Sequence, residues 1–187
     1  MTESAPFPSG SPALHRLLAL LAALALLPNA AQAQDKSRIE LLTFHSQAME
    51  GNLEGNPAER NVYVVTPPGY DEHPDRRYPV VYFLHGFVAT PQMYQEMMKF
   101  EEAVGEAAAA GNEVILVVPD GHSKYKGGFY SNSPTTGNYE AMVAEDLVAW
   151  VDSRFRTLAK RESRGLAGHS MGGYGTLRLA MKYPQVW

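Results

Sequence analysis

The chain contains no cysteine among its 187 residues. This absence excludes disulfide bonds, thiolate metal sites and a cysteine nucleophile within the sequence. An excess of basic residues is also missing, because 20 Asp and Glu residues outnumber 16 Lys and Arg residues and give a net charge of −4. Proteins that bind nucleic acid through its phosphates usually carry a basic surface. We therefore expect no nucleic-acid partner.

The sequence also lacks an apolar run that could span a membrane. Leu17–Leu27 is an apolar stretch of 11 residues, whereas a bilayer takes roughly 20. This stretch follows His15 and Arg16 and precedes Ala31–Ala33, an order typical of a secretory signal peptide. We predict a signal peptide at residues 1–33, export to the periplasm or the medium, and no stable membrane anchor after cleavage. An uncleaved anchor and a buried helix are the alternatives.

Residues 34–187 have the length of one domain, and hydrophobic residues make up 45% of the whole chain. Apolar strand patterns alternate with helical patterns from residue 79 onward, which favours an α/β fold with a mostly parallel sheet and helices on both faces. The predicted strands are Arg38–His45, Asn61–Thr66, Pro79–Leu84, Val114–Val118 and Ser163–Ala167.

Three helices are predicted between or after these strands. One begins at Thr90 and continues to Ala110, with Met93 and Met97 expected in the core. The second covers residues 143–155, and Glu140, Glu145 and Asp146 at its start are expected on its solvated face. A third is predicted over Gly172–Tyr183, directly after the last strand.

The pentapeptide Gly168–Gly172 has the pattern G-x-S-x-G, with Ser170 at its centre. A serine between a strand and a helix occupies a tight turn that exposes its hydroxyl, as in the α/β-hydrolases. The glycines are needed because side chains there would collide with the neighbouring strand and helix. We predict that Ser170 is a catalytic nucleophile. An incidental serine in a glycine-rich turn is the alternative.

Two backbone N–H groups are candidates for an oxyanion hole. In the α/β-hydrolases one donor follows the nucleophile and the other lies after the third strand. These positions correspond to Met171 and Phe87, and Gly86 allows close approach of the backbone. Such donors stabilise the negative charge that develops on a carbonyl oxygen during acyl transfer. The alternative for Phe87 is a plain turn that ends the strand.

Three histidines, His85, His122 and His169, each follow a predicted strand at one edge of the sheet. A zinc site made of three histidines is conceivable, but their spacing matches no metal motif, so we predict neither a metal nor any other cofactor. Asp120 also lies at this edge, where a turn role is favoured over a ligand role. The loop that contains Phe129 and Tyr130 could line a substrate pocket or be a plain surface loop.

The catalytic order in α/β-hydrolases is serine, then acid, then histidine. No Asp, Glu or His occurs among the 17 residues that follow Ser170. We therefore expect the C-terminal part of the domain to be missing from this chain. An apolar sheet edge would then lie open, and we expect this chain alone to be poorly stable and nearly inactive.

Five short motifs follow one another along the chain: Pro67–Tyr70, Arg77–Val80, Leu84–Gly86, Pro119–Gly121 and Gly168–Gly173. Together and in this order they resemble the Putative esterase family. This family includes esterase D, feruloyl and acetyl-xylan esterases, tributyrin esterases and the antigen 85 mycolyltransferases. The resemblance covers the chain from Arg38 to its end and implies a serine nucleophile at Ser170, oxyanion donors at Phe87 and Met171, and no cofactor.

The expected function is hydrolysis of a carboxylic ester through an acyl-enzyme at Ser170. The substrate would be a small-molecule or carbohydrate-linked ester, and feruloyl, acetyl, short fatty acyl and thioester substrates all remain open. Acyl transfer of the antigen 85 type is one alternative, because the same serine would serve. A non-catalytic module that binds a carbohydrate or a partner is the other.

Overall fold

The computed structural model describes residues 36–187. The predicted signal peptide at residues 1–33 lies outside the described residues. Within the part of the chain that is described, no helix has the length and apolar character needed to cross a bilayer.

A five-stranded sheet forms the centre of the molecule, in the order β1-β2-β4-β3-β7. Two shorter strands, β5 and β6, pair with each other outside this sheet. The strand bounds are Arg38–His45 (β1), Glu59–Thr66 (β2), Val80–Leu84 (β3), Ile115–Pro119 (β4), Asn132–Ser133 (β5), Gly137–Asn138 (β6) and Arg164–Gly168 (β7).

The predicted α/β architecture is confirmed, but the sheet is mixed rather than mostly parallel. Strands β4, β3 and β7 run parallel, as their alternation with helices requires. In contrast, β1 pairs antiparallel with β2, and β2 pairs antiparallel with β4. Parallel neighbours need a long crossover, and β1 and β2 are joined only by a loop and a short 3₁₀ turn at Gln47–Met49.

The segment predicted as one helix over residues 90–110 forms two helices, α1 (Pro91–Met98) and α2 (Phe100–Ala109). Lys99 separates them in a left-handed conformation, with φ of 47°. The break turns Phe100 and Val104 into the core and leaves Met93 and Met97 exposed. The expectation that these methionines belong to the core is therefore wrong.

The helical region after β6 is continuous and contains a π-helical segment. Helix α3 (Tyr139–Ala141) leads into the π segment at Met142–Leu147, which leads into α4 (Val148–Arg154). A final helix, α5 (Met171–Lys182), starts directly after Ser170.

Both faces of the sheet are covered by apolar side chains. Consecutive residues of β2 point to opposite faces, so Val64 packs in the larger cluster with Leu147 and Val151, whereas Val65 packs with Phe100. Helix α2 thus covers one face, and the π segment and α4 cover the other.

Strand β7 is the edge of this sheet within the described residues, because it pairs on one side with β3. All five of its residues are half-buried. This edge carries the turn that contains Ser170.

Candidate active site

Ser170 occupies a strained turn between β7 and α5. Its φ of 55° and ψ of −114° lie in a region that residues with a side chain rarely adopt. The residue is exposed, and its hydroxyl does not cap the helix that follows. This geometry leaves the Ser170 oxygen available at the N-terminal end of α5, where the helix dipole favours negative charge.

The two glycines of the pentapeptide are required by the packing around this turn. A β-carbon on Gly172 would lie 1.8 Å from the carbonyl oxygen of Leu84, at the end of β3. A β-carbon on Gly168 would lie 2.4 Å from the backbone of Gly172. The Ser170 turn and β3 are also joined by a hydrogen bond of 3.1 Å from the N–H of His169 to the Leu84 carbonyl oxygen.

The loop after β3 lies against the Ser170 turn. A β-carbon on Gly86 would be 3.4 Å from the β-carbon of Ser170, which is van der Waals contact. The next residue is Phe87. Within residues 36–187 the N–H groups of Phe87 and Met171 donate no hydrogen bond to another protein group. Two candidate oxyanion donors therefore remain available beside Ser170, one in the loop after β3 and one at the start of α5.

A third loop packs onto both candidate donors. A β-carbon on Gly127 would lie 2.6 Å from the sulfur of Met171 and 3.0 Å from the ring of Phe87. A hydrogen bond of 3.1 Å from the N–H of Val88 to the carbonyl oxygen of Lys126 joins this loop to the loop after β3. The residues expected to line a substrate pocket, Phe129 and Tyr130, belong to this loop.

Phe129 and Tyr130 have different environments. Phe129 is 46% exposed and its ring centroid lies 5.6 Å from that of Phe87 and 6.3 Å from that of Tyr174. These three rings form an exposed aromatic cluster beside the Ser170 turn. Tyr130 is fully buried, and its hydroxyl donates to the carbonyl oxygen of His85 at 3.1 Å. The expectation that Tyr130 lines a pocket is therefore corrected: it packs inside the protein and supports the loop after β3.

His85 is a buried connector between two loops. The N–H of Gly121 donates to Nε2 of His85 at 2.8 Å, so this nitrogen carries no proton. The proton of the neutral ring is then on Nδ1, which donates to the carbonyl oxygen of Gly86 at 2.9 Å. His85 thereby fixes the loop after β3 relative to the loop after β4.

Asp120 has the turn role that the sequence favoured. Its Oδ1 atom accepts the N–H of His122 at 2.8 Å. The buried Arg60 donates to the carbonyl oxygens of Asp120 and His122 at 2.8 and 2.7 Å. The aromatic ring of Tyr139 lies against this guanidinium, with 5.5 Å between the guanidinium carbon and the ring centroid. Burial, the largest influence, raises the pKa of the Tyr139 hydroxyl to about 12 despite the nearby Arg60.

The three histidines at this sheet edge do not form a metal site. His85 has both ring nitrogens engaged with the backbone, and Nδ1 of His169 is 2.6 Å from the hydroxyl of Tyr94. Nδ1 of His122 lies 3.4 Å from the carbonyl oxygen of Ala89. In the described part of the chain, no group of three metal-ligating side chains converges.

A buried carboxylate anchors the helix that follows Ser170. Glu140 is 1% exposed and forms ion pairs at 2.5 Å with Arg178 and with Lys182 of α5. Burial acts to raise the pKa of Glu140, but Lys182, Arg178 and the N–H of Asn132 outweigh it and hold this pKa below its ordinary value. The helical periodicity of the segment places Glu140 on a solvated face, so sequence reasoning missed this residue.

No base for Ser170 is found among the described histidines. Their hydrogen bonds go to backbone groups, to Tyr94 or to the carboxylates of Glu50 and Glu59, and none goes to Ser170. The described residues thus contain a candidate nucleophile, Ser170, and two candidate oxyanion donors, Phe87 and Met171.

Sequence comparison gives a family and a relative. The model of the family described as Putative esterase matches residues 55–187. An esterase of Mycobacterium tuberculosis is 36% identical over 112 residues, which are 58% of this chain and 23% of that protein. The chain thus spans about a quarter of the length of this relative.

Solved structures show the same fold. A ferulic acid esterase superposes with a TM-score of 0.70 at 22% identity, over 81% of this chain and 57% of that chain. A fluorophosphonate-binding serine hydrolase of Staphylococcus aureus superposes with a TM-score of 0.65 at 22% identity, over 81% of this chain and 55% of that chain. With the family model matching most of its length, the chain belongs to the Putative esterase family and has an α/β-hydrolase fold.

Proposed function

We propose that this chain carries the nucleophile and the oxyanion hole of a serine-dependent carboxylic ester hydrolase. The observation that carries the proposal is the strained, exposed position of Ser170 between β7 and α5. The unused N–H groups of Phe87 and Met171 flank it. Membership of the Putative esterase family supports the same reaction.

The reaction begins when Oγ of Ser170 attacks the ester carbonyl carbon and gives its proton to a base. The carbonyl π electrons move to oxygen, and the resulting oxyanion accepts hydrogen bonds from Phe87 and Met171. Collapse of this intermediate breaks the bond to the alcohol, which leaves with the proton from the base. Water then attacks the acyl-Ser170 carbonyl in the same way and releases the acid.

The base is the component that residues 36–187 do not place against Ser170. The solved structures that share the fold are longer than this chain, which covers 55–57% of them. We therefore assign neither the base nor its acid partner to any of the described residues. On this proposal the chain alone reacts slowly, because an unassisted serine hydroxyl is a poor nucleophile.

Esters of aromatic acids are the substrate class that the surface beside Ser170 favours. The exposed rings of Phe87, Phe129 and Tyr174 form a contiguous cluster. Planar acyl groups stack well on such rings. A ferulic acid esterase is among the structures with the same fold. Acetyl, short fatty acyl and thioester substrates are the competing classes.

The nucleophile is tested with a fluorophosphonate probe and mass spectrometry of the labelled peptide. We expect the probe on Ser170, slowly in this chain and rapidly in a form extended through the downstream reading frame. Ser170→Ala is the control and should not label. If both forms are folded and neither labels, Ser170 is not an activated nucleophile and a binding role replaces the enzyme proposal.

The substrate class is tested by replacing one ring of the aromatic cluster in the extended form. We expect Phe129→Ala to lower kcat/KM for methyl ferulate about 5-fold, since a lost aromatic contact is worth about 1 kcal/mol. Activity on p-nitrophenyl acetate should change less than about twofold. The matched control is Tyr125→Ala, an exposed aromatic residue of the same loop. Equal losses on both substrates would remove the aromatic preference.

Two further parts of the proposal have their own measurements. Products formed with an added alcohol acceptor distinguish hydrolysis from acyl transfer, because a transferase makes a new ester in place of the free acid.

Export is tested by fractionating expressing cells and sequencing the mature N-terminus. We expect the mature protein to begin at Gln34.

A further inference from the structure

The hydroxyl of Tyr94 lies between the loop after β3 and the turn before α5, the two loops next to the candidate oxyanion donors. It is 3.2 Å from the N–H nitrogen of Gly86, next to Phe87, and 2.6 Å from Nδ1 of His169, next to Ser170. Tyr94 itself belongs to neither loop, because it lies on α1. A single side chain from a third element therefore contacts both loops.

The direction of these two hydrogen bonds is fixed by the chemistry of the donors. A backbone N–H can only donate, so the Tyr94 oxygen accepts from Gly86. If Nδ1 of His169 were protonated, the Tyr94 oxygen would accept both hydrogen bonds and the hydroxyl proton would have no acceptor among the described residues. The arrangement that uses every group has the hydroxyl donating to an unprotonated Nδ1. The neutral His169 ring therefore carries its proton on Nε2. Gly86, Tyr94 and His169 form one continuous chain of hydrogen bonds.

The position of Tyr94 does not depend on its hydroxyl alone. The residue is 5% exposed, and its ring centroid lies 5.6 Å from that of Phe83 on β3. Thr90 begins α1 by accepting the N–H of Met93 at 3.3 Å. The ring and helix are held by packing and capping, so a variant that lacks only the hydroxyl should keep its fold.

The space around Gly86 shows how tightly these groups are packed. A β-carbon on Gly86 would lie 3.0 Å from the Tyr94 oxygen, 3.4 Å from the Ser170 β-carbon and 3.5 Å from Nδ1 of His169. A small displacement of either loop would therefore be transmitted to the other. An oxyanion hole works only if its donors keep a fixed separation, since its contribution comes from preorganisation.

We propose that Tyr94 is a positioning residue that sets the separation between the N–H groups of Phe87 and Met171 through Gly86 and His169. The inference rests on the proposed function. Tyr94 acts through its neighbours, because its hydroxyl already makes two hydrogen bonds inside the protein. His169 is the acceptor that completes the link.

The first measurement tests the link without using activity. Long-range ¹H–¹⁵N spectra distinguish a protonated ring nitrogen from an unprotonated one. In the wild-type chain, at a pH where His169 is neutral, we expect Nε2 to be protonated and Nδ1 to show the shift of a hydrogen-bond acceptor. In Tyr94→Phe we expect the Nδ1 signal to move and the two tautomers to mix. Tyr125→Phe, at an exposed tyrosine, should leave the spectrum unchanged.

The second measurement is the rate at which a fluorophosphonate modifies Ser170, together with kcat and KM of the extended form. We expect Tyr94→Phe to lower both the modification rate and kcat by about 10-fold to 100-fold with little change in KM, as for displaced catalytic groups. We expect His169→Leu to lower the modification rate and kcat to the same extent as Tyr94→Phe. His169→Asn should stay near wild type, because the Asn side-chain oxygen can occupy the place of Nδ1. The double variant Tyr94→Phe/His169→Leu should be no slower than the worse single variant.

The outcomes separate this inference from the proposed function. If the wild type reacts and Tyr94→Phe reacts equally fast, Tyr94 is not a positioning residue. Additive losses in the double variant would overturn it as well. A folded wild type that does not react in either form overturns the proposed function. The histidine spectra then decide the Tyr94 link, which is upheld if the Nδ1 signal of His169 moves and the two tautomers mix in Tyr94→Phe, and overturned if the spectra coincide.

Discussion

The carbonyl oxygen of Leu84 lies 1.8 Å from the point that a β-carbon on Gly172 would occupy. The end of β3 and the first turn of α5 therefore share a space that admits only hydrogen at this position. This contact limits how closely the loop after β3 approaches Ser170, because that loop begins directly after Leu84.

Gly172→Ala should therefore be strongly destabilising. The clash is with backbone, so β3 and α5 must separate, and we expect a loss of at least about 3 kcal/mol in the free energy of unfolding. Gly173→Ala is the matched control, since its β-carbon would find its nearest atom at 3.5 Å. We expect Gly173→Ala to leave the free energy of unfolding unchanged or to raise it by up to about 1 kcal/mol, because alanine favours the helix more than glycine does. Urea unfolding measures the stability of both variants. If Gly172→Ala and Gly173→Ala have equal stability, the contact between Gly172 and Leu84 is not rigid.

The strain at Ser170 predicts an unusual order of stability between two variants. At φ of 55° and ψ of −114° a glycine is accommodated more easily than any residue with a β-carbon. We expect Ser170→Gly to be more stable than Ser170→Ala by about 1–2 kcal/mol. At Ser153, in the ordinary helix α4, the order should reverse by about 1 kcal/mol in favour of alanine. Thermal unfolding of the four variants measures these stabilities. If the alanine variant is more stable than the glycine variant at both positions, Ser170 is not strained.

The site elements that the sequence predicts are those determined by local sterics. The G-x-S-x-G pattern predicts the turn at Ser170 because glycine is needed wherever backbone segments approach closely. The alternation of apolar segments predicts β3, β4 and β7 with helices on both faces. Both predictions depend on residues that are near one another in the chain.

The features that sequence reasoning missed depend on contacts between distant residues. Lys99 carries no helix-breaking signal, yet the chain breaks there and Phe100 packs its ring 6.2 Å from that of Phe83. Glu140 lies in a helical pattern that predicts exposure, and its partners Arg178 and Lys182 are about 40 residues away. Charge pairs of this kind become visible only when the fold brings α3 and α5 together.

Tyr130 provides a test of its structural role. Its hydroxyl is the donor to the carbonyl oxygen of His85, and both groups are buried. We expect Tyr130→Phe to lower the free energy of unfolding by about 1–2 kcal/mol, because the His85 carbonyl loses a buried donor. Tyr125→Phe, at an exposed site, should change it by less than about 0.5 kcal/mol. A Tyr130→Phe variant with wild-type stability and altered ester preference would return Tyr130 to the substrate surface.

The Glu140 cluster predicts how stability depends on pH. The pKa of Glu140 is below its ordinary value in the folded protein. A carboxyl with a lowered pKa stabilises the fold above its unfolded pKa, and this contribution is lost as the pH falls through the folded pKa. At neutral pH we expect Glu140→Gln to cost about 1–3 kcal/mol, less than a fully buried pair, since Arg178 and Lys182 are partly exposed.

This cost should shrink as the pH is lowered, because the wild-type carboxyl becomes protonated and loses the same charge. Urea unfolding of wild type and Glu140→Gln between neutral pH and pH about 3 measures the difference directly. Glu145→Gln, at an exposed position on the adjoining π segment, is the control and should track the wild type across the range. A cost for Glu140→Gln that stays constant into acid would show that hydrogen bonding and shape, rather than charge, hold α5 behind Ser170.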